Sequence, residues 1–422
     1  MGRLVVDITE LAHWSGQLTG VPRVMNELSY RLSNREDVEF VAWSKHKGRL
    51  ESVEYVPRST EATENDPSLP KEGALESVKV LIRKSKTASR AVEVIKGGAV
   101  SIKNGSFELS RAHTRFVPHD DDTFFILADW HGSDPNFIAY VESLKSQSQG
   151  LKIIQMAYDM LPAVAPQYSG HSTKFFVRYV QRVYPIVDQI IAISECTKKD
   201  IISYLHDKEL SIPPIGLIRL GDDFRISKPI LPKKKVLKSV SHGEEFILCV
   251  GTIEARKNHT LLYYGYKYAI SKGIELPKLV IVGRIGWLAH DIYTVISEDP
   301  ALKDKVIFMQ NISDGELAWL YAHCLFSVYP SLYEGWGLPV AESIAHDVPC
   351  LASNTSSIPE IAGGLLSYFS PYSPENLVEH ITYLMRPTHL AEAKRKLKKY
   401  KMTTWDSSYE AVSDIIEAVH EK

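Results

Sequence analysis

The sequence predicts an α/β protein with two parallel-sheet domains. Short apolar runs alternate with segments of helical periodicity over most of the chain. The alternation breaks at residues 226–243, ISKPILPKKKVLKSVSHG, whose Pro, Lys and Ser content is that of an interdomain linker. The length of 422 residues suits two or three domains, at roughly 100 to 200 residues each. With 44% hydrophobic and 24% charged residues, the composition is that of a globular protein. A net charge of -2 argues against wholesale nucleic-acid binding.

The first domain is expected over 1–225 and opens on an apolar strand at 4–8. VPRVMNELSYRL follows with apolar residues at 21, 24, 25, 28 and 32, a helix with Pro22 near its first position. VEFVAW at 38–43 closes a βαβ unit. Gly20 then stands at a strand-end loop, where it either meets a phosphate or sugar with its backbone or simply turns the chain. Residues 44–120 are irregular apart from 76–96, a basic amphipathic segment carrying Lys79, Arg83, Lys84, Lys86 and Arg90. Such a segment packs on a domain or makes peripheral contact with an anionic membrane. Asp120, Asp121 and Asp122 form a solvated loop or the mimic of a metal-binding DxD.

From there strands are expected near 124–127, 152–157, 189–194 and 215–219, with helices near 136–145, 173–186 and 196–206. Polar clusters follow two of these strands: Asp129, Trp130 and His131, then Tyr158 and Asp159. Strand ends are where open α/β sheets bind ligands.

The second domain is expected over 244–400, with strands at 246–251, 278–283, 305–308, 325–329 and 366–369. Helices are expected near 314–323, 339–346 and 375–386, with another starting near Asn258. Arg256 and Lys257 lie between a strand end and a helix start, where cations oppose the helix dipole and invite an anion. The stretch VYPSLYEGWGLPVAES at 328–343 reads as a strand, a glycine loop and a helix that Pro339 starts. Glu334 in the loop and Glu342, placed in the first helical turn, bracket a phosphate-sized site with two hydroxyl-accepting carboxylates. A nucleotide sugar has that shape, and the same residues also suit a plain turn with a dipole-complementing glutamate.

Cys196, Cys249, Cys324 and Cys350 show no CxxC spacing and read as buried thiols in a reducing compartment. MGRLVVDITE enters a strand directly, and no stretch reaches the roughly 18 apolar residues of a membrane span. A cytoplasmic location follows, free or peripheral at the inner face of the cell membrane.

SVYPSLYEGWGLPVAES, VGTIEARKNH, SNTSSIPEIAGG and TGVPRV together resemble the family-4 retaining glycosyltransferases of GT-B fold. The resemblance covers the second domain almost continuously and the first at 3–43 and 152–221. It implies two Rossmann-like domains facing each other across a cleft, with residues 401–422 forming a helix that crosses back to the first domain. Lys257 and Arg256 would neutralise the diphosphate, and Glu334 would lie against the transferred sugar. Donor contacts would come from Gly20, Gly251, Thr252, Arg284, Gly335, Trp336, Gly337, Leu338 and Glu342. Two positions depart from the family: Thr252 replaces an arginine, and Tyr158, followed by Asp159, replaces a histidine. Tyr158, Asp159 or His131 then takes part of that role, with Trp130 and His131 as acceptor contacts.

A subset sharing the pattern YDxxP is associated with bacterial surface polysaccharides. The expected activity is therefore retaining transfer from a nucleotide diphosphate sugar, GDP-mannose first, to a surface-polysaccharide or O-antigen acceptor that is free or lipid-linked. No metal or cofactor is expected, because fixed cations supply the charge. A GT-B epimerase or phosphorylase would instead show donor hydrolysis or phosphate dependence. A catalytically silent scaffold would bind nucleotide sugar without turnover.

Overall fold

The computed structural model describes residues 2–14, 18–57, 114–128, 134–170, 173–223, 229–232, 240, 245–286 and 288–421. The expectations for 76–96, Asp129, Trp130 and His131 lie outside these residues.

Among the described residues the first sheet has the order β3-β2-β1-β4-β5-β6-β7. Its strands are β1 (Leu4–Asp7), β2 (Val38–Ser44), β3 (Arg49–Ser52), β4 (Thr123–Ile126), β5 (Lys152–Ala157), β6 (Gln189–Ala192) and β7 (Ile215–Leu217). The second sheet runs β10-β9-β8-β11-β12-β13. It comprises β8 (Phe246–Val250), β9 (Lys278–Val282), β10 (Val306–Met309), β11 (Ser327–Tyr329), β12 (Cys350–Ser353) and β13 (Ser367–Phe369). Both share the doubly wound order in which the chain reverses direction between the first and fourth strands. Strand pairs are parallel except β2 with β3. The central strands are apolar because helices cover both faces: every residue of β1, β4 and β6 is buried.

Several helix starts are fixed by side chains. Asp134 accepts from the Asn136 amide, Ser194 from Thr197 and Thr404 from Ser407, while Ser313 and Glu316 form a reciprocal capping box. The last helix, Trp405–His420, lies on the Val21–Leu32 helix of the first domain, and Val412, Ile416 and Val419 join the core containing Leu28 and Leu32. Ion pairs Arg31–Asp406 at 2.6 Å and Arg35–Glu417 at 3.3 Å flank that contact.

Asp122, the third residue of the acidic triplet, is buried and ion-paired to Arg3 at 2.7 Å, and it also accepts from the His119 amide. It anchors the start of β4 against the start of β1. Among the described residues no helix is long and apolar enough to cross a membrane.

Candidate active site at the domain seam

The switch point of the second sheet lies between β8 and β11, and the two loops leaving those strands meet above it. The β8 loop supplies a short 3-10 turn, Ala255–Lys257, and Asn258 follows in the left-handed region at φ 57°. That conformation suits asparagine, whose side-chain amide here donates to the carbonyls of Pro330 and Pro371. The β11 loop answers with Leu332, whose amide donates to the Arg256 carbonyl at 2.8 Å. The loops are therefore stitched together before any charge is counted.

Glu334 stands at the centre. One carboxylate oxygen accepts from Lys257 at 2.6 Å, Ser331 at 2.6 Å and Tyr329 at 2.8 Å. The other lies 2.6 Å from Arg256, which also pairs with Glu254 at 2.9 Å. Serines following β12 hold the loop backbone: Ser356 accepts from the Glu334 amide, and Ser357 donates to the carbonyls of Glu334 and Trp336. Burial acts to raise the Glu334 pKa, but Arg256 and Lys257 outweigh it and hold the carboxyl at about 2. Burial and the neighbouring Arg256 push Lys257 down against the pull of Glu334. Burial would lower Arg256, and the carboxylates of Glu334 and Glu254 keep it raised. A buried lysine and a half-buried arginine sharing one main counter-ion form a site where more negative charge is favourable.

The first domain reaches the same point through the loop after β5. Asp159 accepts from the Leu161 amide at 2.8 Å, and burial raises its pKa while Arg256 opposes that rise. Tyr158 is different: its ring is buried in the core and its hydroxyl donates to the Leu127 carbonyl at 3.0 Å. What it offers the seam is its own carbonyl. A β-carbon on Gly335 would stand 2.0 Å from that oxygen, so the glycine serves the approach of the two domains.

The other expected donor contacts are spread along this wall. Gly337, at φ 113°, precedes the Leu338–Ala345 helix, with Leu338 at its first position and Pro339 at its second. Glu342 lies beyond the first turn rather than in it, because the helix begins at Leu338. Tyr321 donates to Glu342 at 3.4 Å, burial raises its pKa, and Arg23 of the first domain partly offsets the rise. Trp336 is 5% exposed and packs under the Arg219 guanidinium at 5.0 Å, so its ring faces the first domain. Gly251, at φ 146°, has the Lys257 side chain 4.0 Å from where a β-carbon would stand. Thr252 is half-buried beside it, and Arg284 is exposed at the end of β9. Gly20 caps the Val21–Leu32 helix at φ 60° with open space around it.

Sequence reasoning missed Tyr329, Ser331, Ser356 and Ser357, whose hydroxyls converge on Glu334 or its loop. Their apolar or turn-like neighbours gave no signal, and Ser356 and Ser357 arrive from another strand end.

Residues 233–403 match the family model described as glycosyl transferases group 1. The two-sheet architecture is the GT-B fold. The whole chain superposes on sucrose-phosphate synthase from Thermosynechococcus elongatus with a TM-score of 0.60 at 15% identity, covering 100% of both chains. The serotype-specific mannosyltransferase WbdA of Escherichia coli is 26% identical over 264 residues, 58% of this chain and 31% of that protein. The O-antigen chain mannosyltransferase B of Escherichia coli is 29% identical over 260 residues, 59% of this chain and 66% of that protein. The match to WbdA thus spans about a third of that relative's length.

Proposed function

We propose that the protein is a retaining glycosyltransferase that moves a hexose from a nucleotide diphosphate, GDP-mannose first, to a surface-polysaccharide or O-antigen acceptor. The observation that carries this reading is the Arg256–Glu334–Lys257 cluster at the switch point, met from the first domain by Asp159. The names of the two mannosyltransferase relatives support the sugar and the acceptor class.

A donor diphosphate entering here competes with Glu334 for Arg256 and Lys257. As the phosphates take the cations, the carboxylate is freed to accept hydroxyl hydrogens of the transferred sugar. The amides at the start of the Leu338–Ala345 helix add fixed donors. When the anomeric carbon–oxygen bond breaks, charge builds on the leaving phosphate, and these groups stabilise it without reorganising. The acceptor oxygen bonds to the anomeric carbon from the face the phosphate leaves, and its proton passes to that phosphate. Asp159 takes the acceptor-side role of the family's histidine, while Tyr158 contributes packing. Arg256 and Lys257 provide the charge that a metal ion would otherwise supply, so transfer is metal-independent. The reaction takes place in the cytoplasm, with the enzyme free or peripheral at the inner face of the cell membrane.

Incubation with GDP-mannose and polysaccharide fragments, followed by NMR of the product, should give an α-linked mannoside with the configuration of the donor. An inverted linkage, or donor hydrolysis without a glycoside across a panel of acceptors, would overturn the reading.

A further inference from the structure

Tyr333 stands immediately before Glu334, yet its hydroxyl works in the other domain. It donates to the Asp200 carboxylate at 2.5 Å and accepts from the Met160 amide at 3.4 Å. Its carbonyl stays in the second domain, where it accepts from Arg256 at 3.2 Å and from Ser331 at 3.3 Å. One residue therefore touches the cation of the cluster through its backbone and the neighbour of Asp159 through its side chain. A second tie guides the same helix: Glu360 accepts from the Glu195 and Cys196 amides, at 2.8 Å each, at the start of Glu195–Asp207. Glu360 ties the start of that helix to the second domain, and Tyr333 ties both the helix and the β5 loop to it.

Resting on the glycosyltransferase reading above, we propose that Tyr333 is a positioning residue that couples domain closure to the chemistry. Its hydroxyl, seated between Asp200 and the Met160 amide, sets the approach of Asp159 to Arg256. The contact is a hydrogen bond to a carboxylate across a seam that also depends on the bare backbone of Gly335. Removing the hydroxyl leaves the ring and both domain cores in place.

The test compares wild type with Tyr333→Phe, Asp200→Ala and Asp200→Asn. Tyr333→Phe and Asp200→Ala should lower kcat by about tenfold to a hundredfold, the value of one hydrogen bond to a charged group. The donor KM and the thermal midpoint should stay near wild type. Asp200→Asn, which keeps an acceptor oxygen, should recover most of the rate. Small-angle scattering without added ligand should give a larger radius of gyration for Tyr333→Phe than for wild type. That readout needs no turnover, so a protein that transfers no sugar would sink the functional reading while still deciding the role of Tyr333. Wild-type compactness in Tyr333→Phe overturns the proposal, as does a rate loss that tracks a lowered midpoint and is not recovered by Asp200→Asn.

Discussion

Replacing Glu334 with glutamine removes the charge that balances Arg256 and Lys257 while keeping shape and one acceptor oxygen. The two cations then face each other in a buried setting, with Glu254 left to pair with Arg256 alone. The wild-type carboxyl is held at about 2 against its usual 4.5. At roughly 1.4 kcal/mol per pH unit, that interaction contributes about 3 kcal/mol to the folded second domain. A folded pKa below the unfolded one means the stabilisation is complete above pH 4.5 and is lost as the pH falls through about 2. Urea unfolding followed by tryptophan fluorescence should therefore show Glu334→Gln less stable than wild type by about 3 kcal/mol at pH 7. The gap should narrow as the pH is lowered from 4.5 towards about 2. Inorganic pyrophosphate should narrow it at pH 7, because an anion restores the missing charge. Equal stability of the two proteins at pH 7, or a gap indifferent to pH, would refute this electrostatic picture.

Lys257→Ala should lower transfer at saturating donor by about a hundredfold to a thousandfold, the effect of losing one fixed stabiliser of transition-state charge. Steady-state kinetics check this, and wild-type turnover would remove Lys257 from the mechanism. Gly335→Ala places a methyl group 2.0 Å from the Tyr158 carbonyl and should abolish transfer while the second domain still binds nucleotide, as calorimetry would show. Asp122→Ala should destabilise the first domain by about 1 to 3 kcal/mol, the effect of stripping a hydrogen-bonded charged group of its partner, and leave donor affinity unchanged. Transfer should persist after dialysis against EDTA. A loss restored by magnesium would show that the cations do not carry the charge alone.

The strands flanking both switch points were legible because each is an apolar run ending in glycine, proline or a charged loop. β3 and β12 were not. β3 is an antiparallel edge strand of sequence RLES, with a charge at two of its four positions. β12 is the short run CLAS, whose Cys, Ala and Ser carry little strand signal although all four residues are buried. The cations and glutamates of the site could be read because charge at a strand end has few structural uses. The work of Trp336 and Tyr333 could not, since both engage the other domain and local pattern says nothing about contacts more than a hundred residues away. The placement of Glu342 missed by part of a turn because the helix starts one residue before the proline that marks it.

The most direct test of the central claim is calorimetric titration of GDP-mannose, with a panel of other nucleotide sugars, into wild type and the Arg256→Ala and Lys257→Ala variants. Wild type should show one site per chain, weakened severalfold by ionic strength and by at least tenfold in either variant. Equal affinity in all three proteins would mean that the diphosphate does not sit between β8 and β11.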